Sequence, residues 1–251
     1  MLRQALATVV LLIFTVSACF AQLDNDSDRI ETDQGDLVIH PILHGSVIFE
    51  WDGKTIYMDP WGSVDLYEGV PAPDVILITH PHSDHLSLET LAGLETESSS
   101  FYVPQAVADE MPDEYIERTT VIANGEKMEY EGITINALPM YNLPEEGARH
   151  AKGWGNGYVL SMGGINVYVS GDTEGIPEMR SLKGIDVAFV CMNLPYTMDV
   201  TQAADAVLDF EPMVVYPYHH RGQDIESFRR LVSAGNKDIE VRLKNWYLDS
   251  D

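Results

Sequence analysis

Cysteine is almost absent: the 251-residue chain holds only Cys19 and Cys191. A small scaffold stapled by disulfides is thereby excluded, so the fold has to stand on its hydrophobic core. Basic residues are scarce too, with 15 Lys and Arg against 40 Asp and Glu, a formal charge of −25. Non-specific affinity for phosphate backbones comes from Lys and Arg, so nucleic acid is not expected as a partner. An acidic coat of this kind serves solubility or a salty habitat. Long hydrophobic runs are missing as well. The apolar stretch from Ala5 to Val16 is shorter than the about 20 residues that a membrane-spanning helix needs, and Asp24-Asn25-Asp26 follow soon after. No Pro-, Gly- or Ser-rich linker divides the chain. Its 45% hydrophobic content suits one well-packed domain, not a disordered polymer.

What the N-terminus does contain is Met1-Leu2-Arg3, that apolar stretch, and the small residues Ser17, Ala18 and Cys19. This is the build of a secretory signal, and residues 1–21 are expected to be removed on export. Two exits stay open. Val16-Ser17-Ala18-Cys19 resembles a bacterial lipoprotein box that would acylate Cys19, whereas Cys19-Phe20-Ala21 before Gln22 suits ordinary cleavage. The expected location is therefore periplasmic or lipid-anchored at the envelope, with a membrane as partner only through Cys19. Loss of residues 1–21 removes one base, Arg3, and no acid, so the charge moves from −25 to −26. Residues 22–36 read as an acidic lead-in and 37–251 as the folded domain.

A faint internal repeat sets the architecture. Residues 46–59 read as strand, turn at Asp52-Gly53 and strand; residues 157–170 repeat this around Gly163-Gly164, aligning Tyr57 with Tyr168. Downstream, Asp74-Val75-Ile76-Leu77-Ile78-Thr79 has a partner in Asp186-Val187-Ala188-Phe189-Val190-Cys191. Both are short continuous apolar runs of the kind a strand buried on two faces shows. Helical patterns are predicted over 86–94, 200–210 and 225–232, with Gly93, Pro212 and Gly235 marking ends. Two similar halves of strands and helices predict an α/β fold, a four-layer αββα sandwich.

The chemistry gathers where the first buried strand gives way to His80-Pro81-His82-Ser83-Asp84-His85. Residues two apart in extended chain share a side, so His80 and His82 can aim at one point, while a bend after Ser83 lets Asp84 and His85 reach an adjacent one. An exposed His-rich loop would not explain such an abrupt arrival after an apolar strand. The segment matches the H-x-H-x-D-H signature of the metallo-β-lactamase superfamily. Around it, His44-Gly45-Ser46, Met58-Asp59-Pro60-Trp61, Ser170-Gly171-Asp172-Thr173 and Tyr216-Pro217-Tyr218-His219 extend the likeness from Val38 to His220. The chain resembles the lactonase and phosphodiesterase branch, including L-ascorbate-6-phosphate lactonase-like and N-acylphosphatidylethanolamine phospholipase D-like metallo-hydrolases.

That resemblance implies two divalent metal ions, Zn2+ first, with Mn2+ or Fe2+ as substitutes. His80, His82 and His150 would hold one, Asp84, His85 and His219 the other, and Asp172 would bridge them. Imidazole and carboxylate suit zinc, and a carboxylate can span ions about 3.5–4 Å apart. His220 is the rival of His219. Between them the ions would lower the pKa of a shared water from about 15.7 toward about 7. The resulting hydroxide would attack a carbonyl or phosphoryl centre, with Asp84 relaying a proton. A small ester, lactone or phosphodiester is the expected substrate. A β-lactam is not favoured, because those enzymes differ in the second metal's ligands and lack the Gly-Asp-Thr aspartate.

Other residues carry two readings each. Asp59 is either a support for a ligand imidazole or a turn-forming Asp-Pro; His40 and His44 are core histidines or neighbours of the site. Tyr141-Asn142, Asn193 and Tyr196 lie on loops that could contact substrate. Cys191 reads as core packing, not as a nucleophile. Two other function classes share these residues: a mononuclear iron oxidoreductase of the persulfide-dioxygenase type, and a non-catalytic metal-binding protein.

Overall fold

The computed structural model describes residues 27–247, so the signal segment and Cys19 lie outside the described residues. One seven-stranded sheet holds β1 (Asp28–Thr32), β2 (Gly35–Leu43), β3 (Ser46–Trp51), β4 (Lys54–Met58), β5 (Val75–Leu77), β6 (Ser100–Val103) and β7 (Thr119–Val121) in chain order. Strands β1 to β4 form an antiparallel meander, and β5, β6 and β7 continue it in parallel. The second sheet repeats the plan with β8 (Lys127–Tyr130), β9 (Ile133–Met140), β10 (Gly155–Met162), β11 (Ile165–Val169), β12 (Val187–Cys191), β13 (Val214–Tyr218) and β14 (Glu240–Val241). Here β8 to β11 are antiparallel and β12 to β14 follow in parallel.

Alternation along the strands decides the layers. Ile56, Met58, Val75 and Leu77 face the second sheet, while Tyr57, Ile76 and Ile78 face outward. On the outer side they meet α1 (Leu88–Gly93), α2 (Gln105–Ala108) and α3 (Asp113–Ile116), through Leu91, Val107 and Tyr115. Across the second sheet, beyond the short α4 (Pro177–Arg180), lie α5 (Val200–Phe210) and α6 (Ile225–Gly235), which bury Ala203, Phe210, Phe228 and Val232. The fold is the expected αββα sandwich of two halves. Burial on both faces is why β5 and β12 carry no polar side chain.

The repeat extends to single hydrogen bonds. Thr55 N donates to Asp74 Oδ2 at 2.8 Å, and Asn166 N donates to Asp186 Oδ2 at 2.7 Å. Likewise Thr79 N donates to Asp59 Oδ1 at 2.7 Å, and Cys191 N to Ser170 Oγ at 3.2 Å. Asp59 and Ser170 are thus equivalent posts, each holding the chain at the end of a buried strand.

Three boundaries differ from expectation. The lead-in is part of the fold: Asp28–Thr32 is an edge strand, and Asp28 meets Arg242 at 3.1 Å, Lys244 at 3.5 Å and the Tyr216 hydroxyl at 2.8 Å. Helix α1 starts at Leu88, because Leu86 is used in a bend, its N–H bonded to His82 O, and Ser87 caps the helix by accepting from Thr90 N. Helix α6 runs on through Gly235. Among the described residues no helix is long and apolar enough to cross a membrane.

Candidate metal centre

Every expected ligand comes from a loop at the carboxyl end of a strand. After β5 the backbone bends where His85 N and Leu86 N both donate to His82 O, at 2.9 and 2.8 Å. The bend brings His80 and His82 together, with the His85 ring 4.0 Å from that of His80, and turns Asp84 toward His44 and His219. His80 Nε2 lies 3.0 Å from His82 Nδ1, and His150 Nε2 lies 3.2 Å from that same nitrogen. A second group gathers beside them: His85 Nε2 and His219 Nε2 are 3.1 Å apart, and Asp84 Oδ2 lies 3.8 Å from His219 Nε2. Asp172 stands between, with Oδ1 3.4 Å from both His85 and His219 and Oδ2 3.6 Å from His150. Gly171, at φ +60°, makes the turn that delivers it, its N–H held by the Tyr218 hydroxyl at 3.0 Å.

Proton bookkeeping tests whether these residues fit a metal. Thr79 Oγ1 donates to Asp59 Oδ2 at 2.7 Å, so toward His80 Nδ1, 2.9 Å away, it can only accept. His80 therefore carries its proton on Nδ1. His85 Nδ1–H donates to Asp59 Oδ2 at 2.7 Å, and His150 Nδ1–H to Asn142 Oδ1 at 3.0 Å. In all three rings Nδ1 is the outward, proton-bearing nitrogen and Nε2 faces inward, with its lone pair free in the neutral rings of His80 and His150. Inward lone pairs and a buried carboxylate, whose Oδ1 has no hydrogen-bond partner, then face one another. Such a donor set fits cations and little else.

Electrostatics agrees. Burial holds His80 well below the usual imidazole range and brings His150 down to about 4, keeping both in the neutral form that ligates. Burial also lowers His82, helped by Arg149. Asp172 runs the other way: burial opposes its charge, but His219 and His85 outweigh it and hold the carboxyl far below its normal value. For His85, burial is overcome by Asp172 and Asp59, and its pKa is driven well up. The centre attracts positive charge.

Residues with two readings now resolve. Asp59, at φ +45°, is a support, receiving Thr79 N, Thr79 Oγ1 and His85 Nδ1 on its two oxygens. His44 is a neighbour of the site: the Tyr247 hydroxyl lies 2.6 Å from its Nδ1, and its Nε2 lies 3.2 Å from Asp84 Oδ2. The Asp84 carboxylate can only accept, so neutral His44 carries its proton on Nε2 and its Nδ1 accepts from the Tyr247 hydroxyl, which also receives Arg221 N–H at 2.7 Å. Gly45 lets the chain pass close to the cluster, since a Cβ there would sit 3.0 Å from His85 and 3.2 Å from His219 and press on both rings. His40 instead pairs with Glu50 at 2.6 Å, outside the centre. His219 enters the cluster, whereas His220 packs its ring against Tyr247 and neither ring nitrogen has a partner. Tyr141 turns away to Glu178, with its hydroxyl 2.9 Å from the carboxylate. Cys191 is buried, its thiol pushed up to about 12 by burial and bonded to Thr173 O, as core packing requires.

A match to the β-lactamase superfamily domain covers residues 39–219, from β2 to the last histidine of the cluster. The chain belongs to the metallo-β-lactamase superfamily. Within the superfamily its relatives are metal-dependent hydrolases. The UPF0173 metal-dependent hydrolase of Methanosarcina mazei is 30% identical over 218 residues, covering 79% of this chain and 92% of that one. A metal-dependent hydrolase from Parabacteroides distasonis is 33% identical with a TM-score of 0.80, covering 88% of this chain and 99% of its own. Igni18, a metallo hydrolase of Ignicoccus hospitalis, is 23% identical at TM-score 0.70, covers 82% of this chain and 94% of its own, and shares the fold.

For a metallo-β-lactamase-fold chain, sequence reasoning missed Thr79, Trp154 and Tyr247. Trp154 packs edge-on against His82 with ring centroids 4.9 Å apart. Thr79 stood next to the motif and could have been found as the hydroxyl closing the strand; Tyr247 carries no local signal.

Proposed function

We propose that this chain is an exported, binuclear metal-dependent hydrolase acting on a small ester, lactone or phosphodiester. One observation carries the reading: His80, His82 and His150 converge on one point, His85 Nε2 and Asp84 Oδ2 approach His219 Nε2 beside it at 3.1 and 3.8 Å, and Asp172 lies within 3.4–3.6 Å of His85, His219 and His150. Two divalent ions bound there supply a water activated at neutral pH and a Lewis acid for the attacked centre. The chain's own residues do the rest. Asp59, Thr79 and Asn142 hold three imidazoles in the ligating tautomer. Asp84, with a third of its side chain exposed and fixed by His44, faces the substrate cavity and is placed to move a proton. That cavity measures about 280 Å³, the size of a small molecule.

Metal content per purified chain tests this directly, comparing the native protein with His82→Ala and Asp172→Ala. Two zinc or manganese ions, lost together with activity in either variant, are expected. A single iron with oxygen consumption would replace the hydrolase by an oxidoreductase, and no metal under saturating supply would remove the basis of the mechanism. Export rests on residues 1–21; sequencing the mature N-terminus should give Gln22, or an acylated Cys19.

A further inference from the structure

Most of the described bases are ion-paired, among them Lys152 with Glu178, Arg180 with Asp209, Arg229 with Glu226, and Arg242 with Asp28 and Glu240. Arg149 and Arg221 form no ion pair with a described carboxylate, and both line the cavity over the metal centre. Each is anchored to the frame that holds a different ligand group. The Arg149 guanidinium stacks 4.6 Å over the Tyr196 ring, and Tyr196 O accepts from the same Asn142 whose Oδ1 holds His150. Arg221 N–H donates to the Tyr247 hydroxyl that holds His44 and through it Asp84. Its φ of +31° is a strained position for a non-glycine residue, of the sort kept where placement matters.

Two cations at the rim of a site built for cations work against metal binding unless an anion comes between. In a chain of −25 charge, with acids everywhere available, their unpaired presence there points to the substrate. A carboxylate offers two oxygens, enough for one guanidinium fork. A phosphate monoester offers three free oxygens, each with more than one lone pair, so two guanidinium forks can share one oxygen between them and both be satisfied.

We propose that Arg149 and Arg221 clamp a phosphate group, and that the substrate is a small phosphate-bearing molecule, not a neutral ester or lactone; this rests on the hydrolase reading of the same site. The clamp is tested by titrating inorganic phosphate, and acetate for comparison, calorimetrically into metal-loaded native protein, Arg149→Gln, Arg221→Gln and the double variant. Metal content measured in parallel reports that each variant keeps its fold and ions. Phosphate affinity should fall about tenfold per arginine, with acetate changing far less. The ratio of kcat/KM for p-nitrophenyl phosphate, a monoester with three free oxygens, over p-nitrophenyl acetate should fall by at least as much. Phosphate affinity within twofold across the series, no phosphate binding by the native protein, or an equal loss for acetate would overturn the clamp. If the native protein hydrolyses neither ester, the hydrolase reading fails, while the phosphate titrations still decide the clamp.

Discussion

Thr79 has one hydroxyl proton and three neighbours within reach: Asp59 Oδ2 at 2.7 Å, His80 Nδ1 at 2.9 Å and His85 Nδ1 at 3.3 Å. Because a carboxylate can only accept, the proton goes to Asp59, and the two histidines are fixed by what remains. One buried aspartate therefore sets the tautomer of His85 directly and of His80 through Thr79. Replacing Asp59 by Ala should weaken metal binding about 10–100-fold, read by competition with a chelator. Unchanged affinity would make Asp59 a turn residue only. The His80–His85 segment was legible in the sequence because four ligand-type side chains stand in six residues. Asp59 was not settled by sequence, since Asp-Pro serves turns and supports alike. His44 was left between core and site because its partner Tyr247 is 203 positions away, and no local pattern spans that distance.

At the scale of elements, the repeat of hairpin and buried strand was readable because its spacing survives in both halves. The edge strand β1 was not: Asp28-Arg29-Ile30-Glu31-Thr32 is too polar to look like a strand, and it is held by pairing with β2 and by Asp28's bonds to the C-terminal segment. That segment, residues 240–247, also closes the metal centre. Trp246 is fully buried against Phe189 and Tyr218, and its carbonyl accepts from His44 N at 3.0 Å. Trp246→Ala should cost about 3–5 kcal/mol of stability, measured by denaturant unfolding of the metal-free protein. It should also loosen His44, seen as weaker retention of bound metal. A loss below about 1 kcal/mol would mean that the tail merely lies on the fold.

For the whole molecule, the balance of buried histidines sets the response to acid. Burial lowers His44, His150 and His220 from 6.5 to about 4. The unfolded chain therefore takes up their protons first, and metal-free protein should lose stability as the pH falls from about 6.5 to about 4. The depressed carboxyls of Asp84 and Asp172 add to the loss at the acid end. His85 acts oppositely, its raised pKa favouring the folded state at low pH until pH rises through it. His80 and His82 are lowered as well, so the depressed histidines outnumber His85 and make acid the destabilising direction, and thermal midpoints of chelator-treated protein at pH 7 and pH 5 would show it. A midpoint that rises on acidification would mean that His85 dominates.

The bonds joining Asp28 to Arg242 and Lys244 have a topological consequence. The path of the backbone leaves the sandwich beside the place where it entered, so the fold is in effect a ring cut at one seam. The seam's position is arbitrary as far as packing is concerned, because the halves meet across the sheets and not through the turn between β7 and β8. A chain opened at Gly125 and joined from Tyr247 back to Asp28 by a flexible linker would present His150, Asp172 and His219 before the His80–His85 segment. It should still gather the same seven side chains and bind the same number of ions as the native order, since the ligands are assembled by the two halves and not by their sequence along the chain.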